Sequence, residues 1–579
     1  MPGVFGFFQS FLHIPFAIIN HQVAVLCGLG GAAILAPCLI AAFVYFSPAK
    51  RRSLSLAAPS VQSAATEAQT ELLQAGSVPG AGAPAFASQV AAAAQAKDVP
   101  AAPLNKVLGR LVSAGIPDAE ISARLFAAAD GLAALRASLS NWQSPAPNHE
   151  EVCAYVLECI DRGELDAAGE VLKQRREAHW LHPTEAAQEE AEFYAREAMI
   201  DHIQLRYADA AAKHACAAAI LIESGGPQAA RFLIAEAQEL CADGREFGNR
   251  ESILLALDAC HRALALAPRE QCPAGWAAAM HCLGKTLVLL GEECQEPERL
   301  EEAVKAYLAA LEEWTRELAP AEWAKAQRDL GEALQALGGQ EGGRDRLREA
   351  AEAYRAALAG WTREQAPREW AHTKKQLADS LAVLGIEERD SECLIEAVNA
   401  YREALDGLSR ETAPLEWALM QNNLGNALQA LSEIDPDSGR LHLAVAAYQA
   451  ALQEVLLPSY GLAITNNNLG NAFVAIAECE NGKAMLEEAA KAYRAALQAQ
   501  PPEEAPLAAA RTHMNLAYTL GALWNRTRRR NILDEALAAA EAALNLIKGR
   551  EEEAEIPAGL AREAILAAIG GSAEGAPVP

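Results

Sequence analysis

The sequence predicts an all-α protein: a solenoid of stacked helical hairpins preceded by one transmembrane helix. The 579 residues are rich in Ala, Leu and Glu, only 6% are aromatic, and the alternating pattern of β-strands is hard to find. From about residue 150 the chain repeats itself. A chain this long exceeds one ordinary core unless hairpins stack to bury a continuous one.

The N-terminal segment predicts membrane insertion. Residues 1–49 contain no Asp, Glu, Lys or Arg, and Val23–Phe46 is an apolar run of 24 residues, long enough to cross a bilayer. We therefore predict a transmembrane helix at 23–47. Lys50, Arg51 and Arg52 follow it, so the positive-inside rule places the bulk of the chain in the cytoplasm. The expected location is the bacterial inner membrane, as a single-pass protein.

The residues before this helix leave alternatives open. Segment 1–22 is apolar and Phe-rich, and it could lie in the membrane interface, re-enter the bilayer or bind a membrane partner. A cleaved signal peptide is disfavoured, because such a peptide needs a basic start and a shorter apolar stretch.

Composition divides the remaining chain into further segments. Residues 48–103 are dominated by Ala, Ser, Pro and Gly, which predicts a disordered linker, with a transient Ala-rich helix as a possibility. Apolar spacing predicts a small separate helical hairpin at 104–141. Degenerate repeat units are expected at 150–270, six extended units at 271–550, and an acidic cap with a disordered tail at 551–579.

The six extended units share a step of Leu followed by a small residue. The steps are separated by 47, 47, 47, 45 and 47 residues and lie at Leu283-Gly284, Leu330-Gly331, Leu377-Ala378, Leu424-Gly425, Leu469-Gly470 and Leu516-Ala517. Nineteen residues after the small residue of each step, the second helix begins a small–aromatic–small pattern, for example Ala303, Tyr307 and Ala310; in the sixth unit Ala540 replaces the aromatic residue. With the degenerate units, the count is eight or nine.

This pattern resembles the tetratricopeptide repeat, whose 34-residue unit has Leu-Gly in its first helix and Ala, an aromatic and Ala in its second. The extended units, with their NNLG motif, resemble those of kinesin light chains and many bacterial proteins. The resemblance covers roughly 400 residues, from the degenerate units near residue 150 through the extended units. It implies a right-handed superhelix whose first helices line a concave groove. The recurring Leu, Gly, Ala and Tyr residues are then structural.

Asparagines recur on the first helices, although asparagine is a mediocre helix former. A row of carboxamides offers both donors and acceptors to the backbone of an extended peptide, and the resembled family uses groove asparagines in that way. We predict a peptide-binding groove formed by Asn422, Asn423, Asn426, Asn467, Asn468, Asn471, Asn515, Arg328 and Lys375. The alternative is that the asparagines brace the adjacent helices or are merely solvated.

Several classes of function are disfavoured. The formal charge of −27 argues against nucleic acid as a partner, because phosphate binding needs a basic face. No phosphate-binding loop, nucleophile elbow or zinc-protease motif occurs, so we predict no enzyme and no cofactor. His179 and His182 lack a third ligand nearby, so no metal is predicted. The 12 scattered cysteines, including Cys216, are expected to be small buried residues in a reducing compartment.

These features together predict a membrane-anchored cytoplasmic scaffold or adaptor that binds a protein or peptide segment in its groove. The alternative is a regulatory or assembly subunit of an integral membrane complex, contacting it through the apolar N-terminal segment. The sequence leaves the partner and the oligomeric state open.

Overall fold

The structure is a computed structural model. It describes residues 83–547, except 115, 117, 143–148, 178–182, 224–227, 295, 340–342, 409, 411–412, 455–456, 481 and 502–504. The predicted segments 1–22, 23–47 and 551–579 lie outside the described residues. Within the described ranges, no helix combines the length and apolar character needed to span a bilayer. The transmembrane helix therefore stays a prediction.

Every regular element in the described part of the chain is an α-helix. The helices are α1 (Ala83–Lys97), α2 (Ala101–Ser113), α3 (Asp118–Ser140), α4 (His149–Asp161), α5 (Leu165–Glu177), α6 (Pro183–Ile203), α7 (Tyr207–Glu223), α8 (Ala229–Phe247), α9 (Arg250–Leu266), α10 (Pro273–Cys294), α11 (Pro297–Glu313), α12 (Pro320–Gly338), α13 (Arg344–Gly360), α14 (Pro367–Glu388), α15 (Ser391–Gly407), α16 (Pro414–Ile434), α17 (Ser438–Leu452), α18 (Ser459–Glu480), α19 (Lys483–Ala499), α20 (Pro506–Thr527) and α21 (Arg530–Ile547).

From α4 onward these helices form hairpins, each with a first and a second helix that pack together. Three hairpins cover α4–α9 and six cover α10–α21. The described residues fall into two compact units, 83–362 and 363–547. The chain is thus an all-α helical-repeat protein.

The start of the first unit differs from the sequence expectation. Helix α1 lies inside the predicted linker 48–103, and its residues Val90 and Ala93 are buried. Alanine has the highest helix propensity and loses no side-chain entropy, so this Ala-rich stretch forms a helix once a few apolar side chains find a core. That core also includes Leu132 of the predicted separate hairpin 104–141 and Ile200 of α6. The hairpin is therefore part of a larger core and not a separate body.

In the unit 363–547, two arginines each lie in the connection that precedes a hairpin and bind the end of that hairpin's second helix. Arg363 donates to the carbonyl of Asp406 at 2.5 Å, and Arg410 donates to that of Gln453 at 2.8 Å. Both acceptors lie at the end of a second helix, where carbonyl groups lack intrahelical partners. Arg410 also lies over the ring of Trp417, which opens the next first helix, with 5.5 Å between the guanidinium carbon and the ring centroid.

The glycine of the recurring step permits close contact within a hairpin. A Cβ added to Gly331 would lie 2.5 Å from Cε1 of Tyr354, and one added to Gly425 would lie 2.5 Å from Cε1 of Tyr448. Both tyrosines are fully buried. The tyrosine thus fills the space that the missing side chain leaves.

The cysteines vary in burial, whereas the sequence predicted that they would be buried. Cys241, Cys260 and Cys282 are buried as the sequence predicts, but Cys216 is exposed on α7 and Cys479 is exposed on α18. The prediction for Cys216 was wrong because α7 is rich in alanine around this residue, and a run of alanines gives no clear sign of which face is buried.

Candidate functional site: an amide ladder on the first helices

The predicted groove asparagines come together in the unit 363–547, on the first helices α16, α18 and α20. Each asparagine has a fixed place relative to the recurring leucine: two residues before it, one before it or two after it. These places recur one hairpin apart, so the side chains meet across neighbouring first helices. We call this set the amide ladder; it consists of Asn422, Asn423, Asn426, Asn467, Asn468, Asn471 and Asn515, with Asp379 at its start.

The first junction of the ladder is centred on a carboxylate. Oδ1 of Asp379 on α14 accepts a hydrogen bond from the hydroxyl of Tyr401 at 2.5 Å and another from Nδ2 of Asn423 at 3.1 Å. Its second oxygen accepts from Nζ of Lys375 at 3.0 Å. One side chain therefore joins its own second helix α15 to the next first helix α16.

The next two junctions repeat this geometry with amides. Oδ1 of Asn426 accepts from the Tyr448 hydroxyl at 2.8 Å and from Nδ2 of Asn468 at 3.0 Å. The third junction places the equivalent atoms one hairpin later: Oδ1 of Asn471 accepts from the Tyr493 hydroxyl at 2.7 Å and from Nδ2 of Asn515 at 3.2 Å.

Four further hydrogen bonds, of 3.2–3.4 Å, complete the ladder. Nδ2 of Asn422 donates to Oδ1 of Asn423 at 3.3 Å, and Oδ1 of Asn422 accepts from Asn468 at 3.4 Å. Oδ1 of Asn467 accepts from Asn515 at 3.2 Å and from the Thr512 hydroxyl at 3.3 Å.

Burial favours the bracing interpretation for part of the set. Asn422, Asn423, Asn468 and Asn471 are buried, with 3–8% of their surface exposed. A buried amide must be hydrogen-bonded, because an unpaired one costs about 1–3 kcal/mol. The remaining ladder asparagines, Asn426, Asn467 and Asn515, are half-buried.

Several amide oxygens of the ladder accept two hydrogen bonds each, whereas, within the described part of the chain, the amide nitrogens of the same residues donate none. Among the described residues, Nδ2 has no hydrogen-bond partner in Asn426, Asn467 and Asn471, whereas the Oδ1 atom of each accepts two bonds. Burial raises the pKa of Tyr448 and Tyr493 well above the ordinary value, so both hydroxyls stay protonated and donate. Each amide oxygen is thereby committed to the ladder.

The two cationic residues of the predicted groove are paired. Lys375 binds Asp379 as described, and Arg328, in the unit 83–362, donates to Oδ1 of Asp329 at 2.6 Å and lies over the ring of Trp361. Peptide binding by either residue stays a prediction, and an anionic ligand would have to compete with the existing ion pair.

Asp329 forms a second cross-hairpin junction. Nε2 of His281 on α10 lies 2.9 Å from Oδ2 of Asp329 on α12, and both side chains are buried. Burial alone raises the pKa of Asp329, but the hydrogen bond from His281 and the charge of Arg328 outweigh it and hold that pKa well below its usual range. Burial also lowers the pKa of His281, against the opposing effect of its hydrogen bond with Asp329.

Sequence reasoning treated the recurring tyrosines as packing residues and overlooked their hydroxyls as donors. It also gave Asp379 no special role. A signal was present, because Asp379 stands two residues after its leucine, the place that Asn426 and Asn471 occupy in later hairpins. The described residues contain no group of three or more His, Cys, Asp or Glu side chains arranged to hold a metal ion.

No known protein family and no curated protein matches this chain. The matches among solved structures include the following three. The C-terminal part of a TPR repeat-containing protein from Cytophaga hutchinsonii is 12% identical, with a TM-score of 0.36 over 57% of this chain and 99% of that one. The quorum sensor NprR from B. thuringiensis is 14% identical, with a TM-score of 0.33 over 69% and 97% of the two chains. A human IFIT1 dimer with m7Gppp-AAAA is 16% identical, with a TM-score of 0.33 over 78% and 96%.

Such low identities concern the fold alone. The fold assignment rests on the helical hairpins described above. The chain is an all-α helical-repeat protein.

Proposed function

We propose that this protein is a membrane-anchored scaffold whose first helices α16, α18 and α20 bind an extended segment of a partner protein. The apolar segment 23–47 supplies the anchor, and the repeats supply the binding surface. Helical repeats of this type present a long surface built from successive equivalent helices, which suits an extended ligand.

The donors left over by the amide ladder carry this proposal. The Nδ2 groups of Asn426, Asn467 and Asn471 recur along neighbouring first helices. Their orientation is fixed because Oδ1 of the same side chain accepts two hydrogen bonds. The backbone of an extended peptide offers carbonyl oxygens, which accept hydrogen bonds from such donors. Bracing and binding are therefore compatible: the ladder holds the amides so that their nitrogens remain for the ligand.

Asparagine-to-aspartate exchange tests this proposal. Asn426→Asp keeps an oxygen for Tyr448 and Asn468 but replaces the free donor by a second oxygen, which repels carbonyl groups. Asp379 accepts the same pair of bonds in the preceding hairpin, where Lys375 also pairs with its second oxygen. We expect Asn426→Asp to retain the helical fold, measured by circular dichroism, and to lose at least three-quarters of the partner crosslinking.

Crosslinking is measured with a photoreactive residue at Ala430, which is half-buried one turn after Asn426 on α16. The matched control places the same residue at Gln449, which is exposed on the second helix α17 of the same hairpin. Partner capture at Ala430 that Asn426→Asp does not reduce, or equal capture at both positions, contradicts binding through the ladder.

The anchor has a separate test. Deletion of residues 1–47 should release the protein from the membrane pellet into the alkaline carbonate wash, because the apolar segment is the part that a bilayer would hold. The full-length chain should resist the same wash. Release of the full-length chain would contradict the transmembrane helix while leaving the repeat surface untouched.

A further inference from the structure

The last two helices that the structure describes are joined by a strongly basic segment. Positions 525–530, at the end of α20 and the start of α21, contain four arginines and no acidic residue. All four side chains are exposed: Arg526, Arg528, Arg529 and Arg530. We call residues 525–530 the basic turn. The whole chain has a formal charge of −27, so this concentration of positive charge departs from the character of the rest.

The place of Arg529 indicates that this charge does not serve the local fold. In two earlier hairpins an aspartate stands at the equivalent place, directly before the second helix. Asp390 accepts a hydrogen bond from the backbone N–H of Glu392 at 2.8 Å, and Asp437 accepts one from that of Gly439 at 2.8 Å. Negative charge is favourable at the start of a helix, whereas positive charge is not. An arginine here therefore gives no stabilisation to the start of α21.

Three of the four arginines have no carboxylate partner among the described residues. Arg528 lies over the ring of Trp524, with 4.7 Å between the guanidinium carbon and the ring centroid. Arg526 donates to the carbonyl of Ala477, on the preceding first helix α18, at 3.4 Å. No contact of the Arg529 side chain is recorded within the described part of the chain. These contacts leave the positive charges uncompensated.

The fourth arginine is only weakly paired. Arg530 lies 3.2 Å from Asp534 one turn later on α21, and both side chains are exposed. Exposed ion pairs at this spacing contribute little, because water and salt screen them. The partner can therefore be exchanged for another anion at little cost.

The equivalent turns of the preceding hairpins carry the opposite charge. Asp435 and Asp437 lie between α16 and α17, and Glu480 ends α18. Packed helices lie about 8–10 Å apart, and salt screens exposed charges over about 8 Å. The positive potential of the basic turn therefore persists beside these acidic turns, confined to the last hairpin.

The form of the basic turn favours a lipid surface over an acidic peptide. Its cations lie on an exposed turn between two helices, which can meet a flat layer of headgroups, whereas a peptide is usually held in a groove or on a sheet edge. Clusters of four or more arginines or lysines are attracted to anionic lipids. The neighbouring Trp524 is half-buried, and an indole ring is both apolar and able to donate, which suits the membrane interface.

We propose that the basic turn docks on the phosphate-bearing headgroups of anionic phospholipids. Each guanidinium group offers paired N–H donors that match a phosphate. The proposal rests on the proposed function in one respect: the anchor at 23–47 keeps the repeats near a bilayer, so that a turn of only four cations is sufficient. The last hairpin then makes a second contact with the membrane, in addition to the anchor.

Photocrosslinking to lipid tests the proposal. The full-length protein carries a photoreactive residue at Asn525, which is exposed, and is placed in nanodiscs of phosphatidylcholine alone or with about one-third phosphatidylglycerol. Mass spectrometry measures the fraction of protein joined to phospholipid. We expect this fraction to rise about three-fold or more in the anionic discs, because the attraction depends on the headgroup charge.

Matched variants separate charge from position. Arg528→Gln combined with Arg529→Gln should reduce capture to the phosphatidylcholine value, whereas lysine at both positions should retain at least half of the increase, and circular dichroism verifies the fold of each variant. The same photoreactive residue at Cys479, exposed at the end of α18 in the preceding hairpin, should capture equally little lipid in both discs.

A photoreactive residue at Leu35 reports on the anchor in the same discs. Lipid capture at Leu35 without capture at Asn525 would overturn the docking and retain the anchor, whereas capture at Asn525 alone would support the docking and contradict the anchor. Equal capture at Asn525 in the two lipids also overturns the docking. Adducts to protein instead of lipid at Asn525 would overturn it in favour of an acidic protein segment.

Discussion

Replacement of Asp379 by alanine is expected to destabilise the unit 363–547 by about 3–5 kcal/mol, the usual cost of removing one member of a buried, hydrogen-bonded charge pair. Asp379 accepts bonds from Tyr401, Asn423 and Lys375, and its own side chain is 4% exposed. Its loss removes the acceptor that these three side chains share. Local opening free energies from amide hydrogen exchange in α14–α16 measure the effect.

Asp379→Asn is the matched control. Asparagine performs the same role two hairpins in succession, at Asn426 and Asn471, so this variant should lose no more than about 1–1.5 kcal/mol, chiefly through the weakened contact with Lys375. Equal losses for the alanine and asparagine variants would mean that the junction depends on charge and not on the pair of hydrogen bonds.

Tyr448→Ala is expected to have the second large effect. The ring is fully buried against the Gly425 step, where a Cβ would lie 2.5 Å from Cε1. Truncation of a buried aromatic residue leaves a cavity and typically costs about 3–5 kcal/mol. Hydrogen exchange should accelerate throughout α16 and α17, the two helices of this hairpin.

Tyr448→Phe separates packing from hydrogen bonding. The phenyl ring still fills the space beside Gly425, but the donor to Asn426 is lost, so we expect a cost of about 1 kcal/mol. A phenylalanine variant as unstable as the alanine variant would contradict the packing role that the structure gives to this ring.

The hairpins could be predicted from sequence because their signal is local. A small residue such as Gly425, a tyrosine 23 residues later and proline at the start of the first helix, as in Pro414, each report on contacts inside one repeat. The Ala-rich helix α1 was expected only as a transient helix in a linker, because its stability depends on a few distant contacts, such as those of Val90, which local composition does not reveal.

The amide ladder was harder to predict than the helices that carry it. Sequence reasoning identified the asparagines and weighed binding against bracing. It could not decide how deeply Asn423 is buried, because that depends on the position of Asp379, 44 residues earlier, across the contact between two first helices. The recurrence of the residues was visible in the sequence, but the rotation of neighbouring helices was not.

A double-mutant cycle between Asn426 and Asn468 tests the central claim most directly, because their side chains are joined by the 3.0 Å bond between consecutive first helices. Local opening free energies of α16 and α18 are measured for Asn426→Ala, Asn468→Ala and the double variant. The ladder predicts a coupling energy of about 0.5–1.5 kcal/mol between the two sites. Strictly additive effects of the two substitutions would contradict a bond that braces neighbouring repeats.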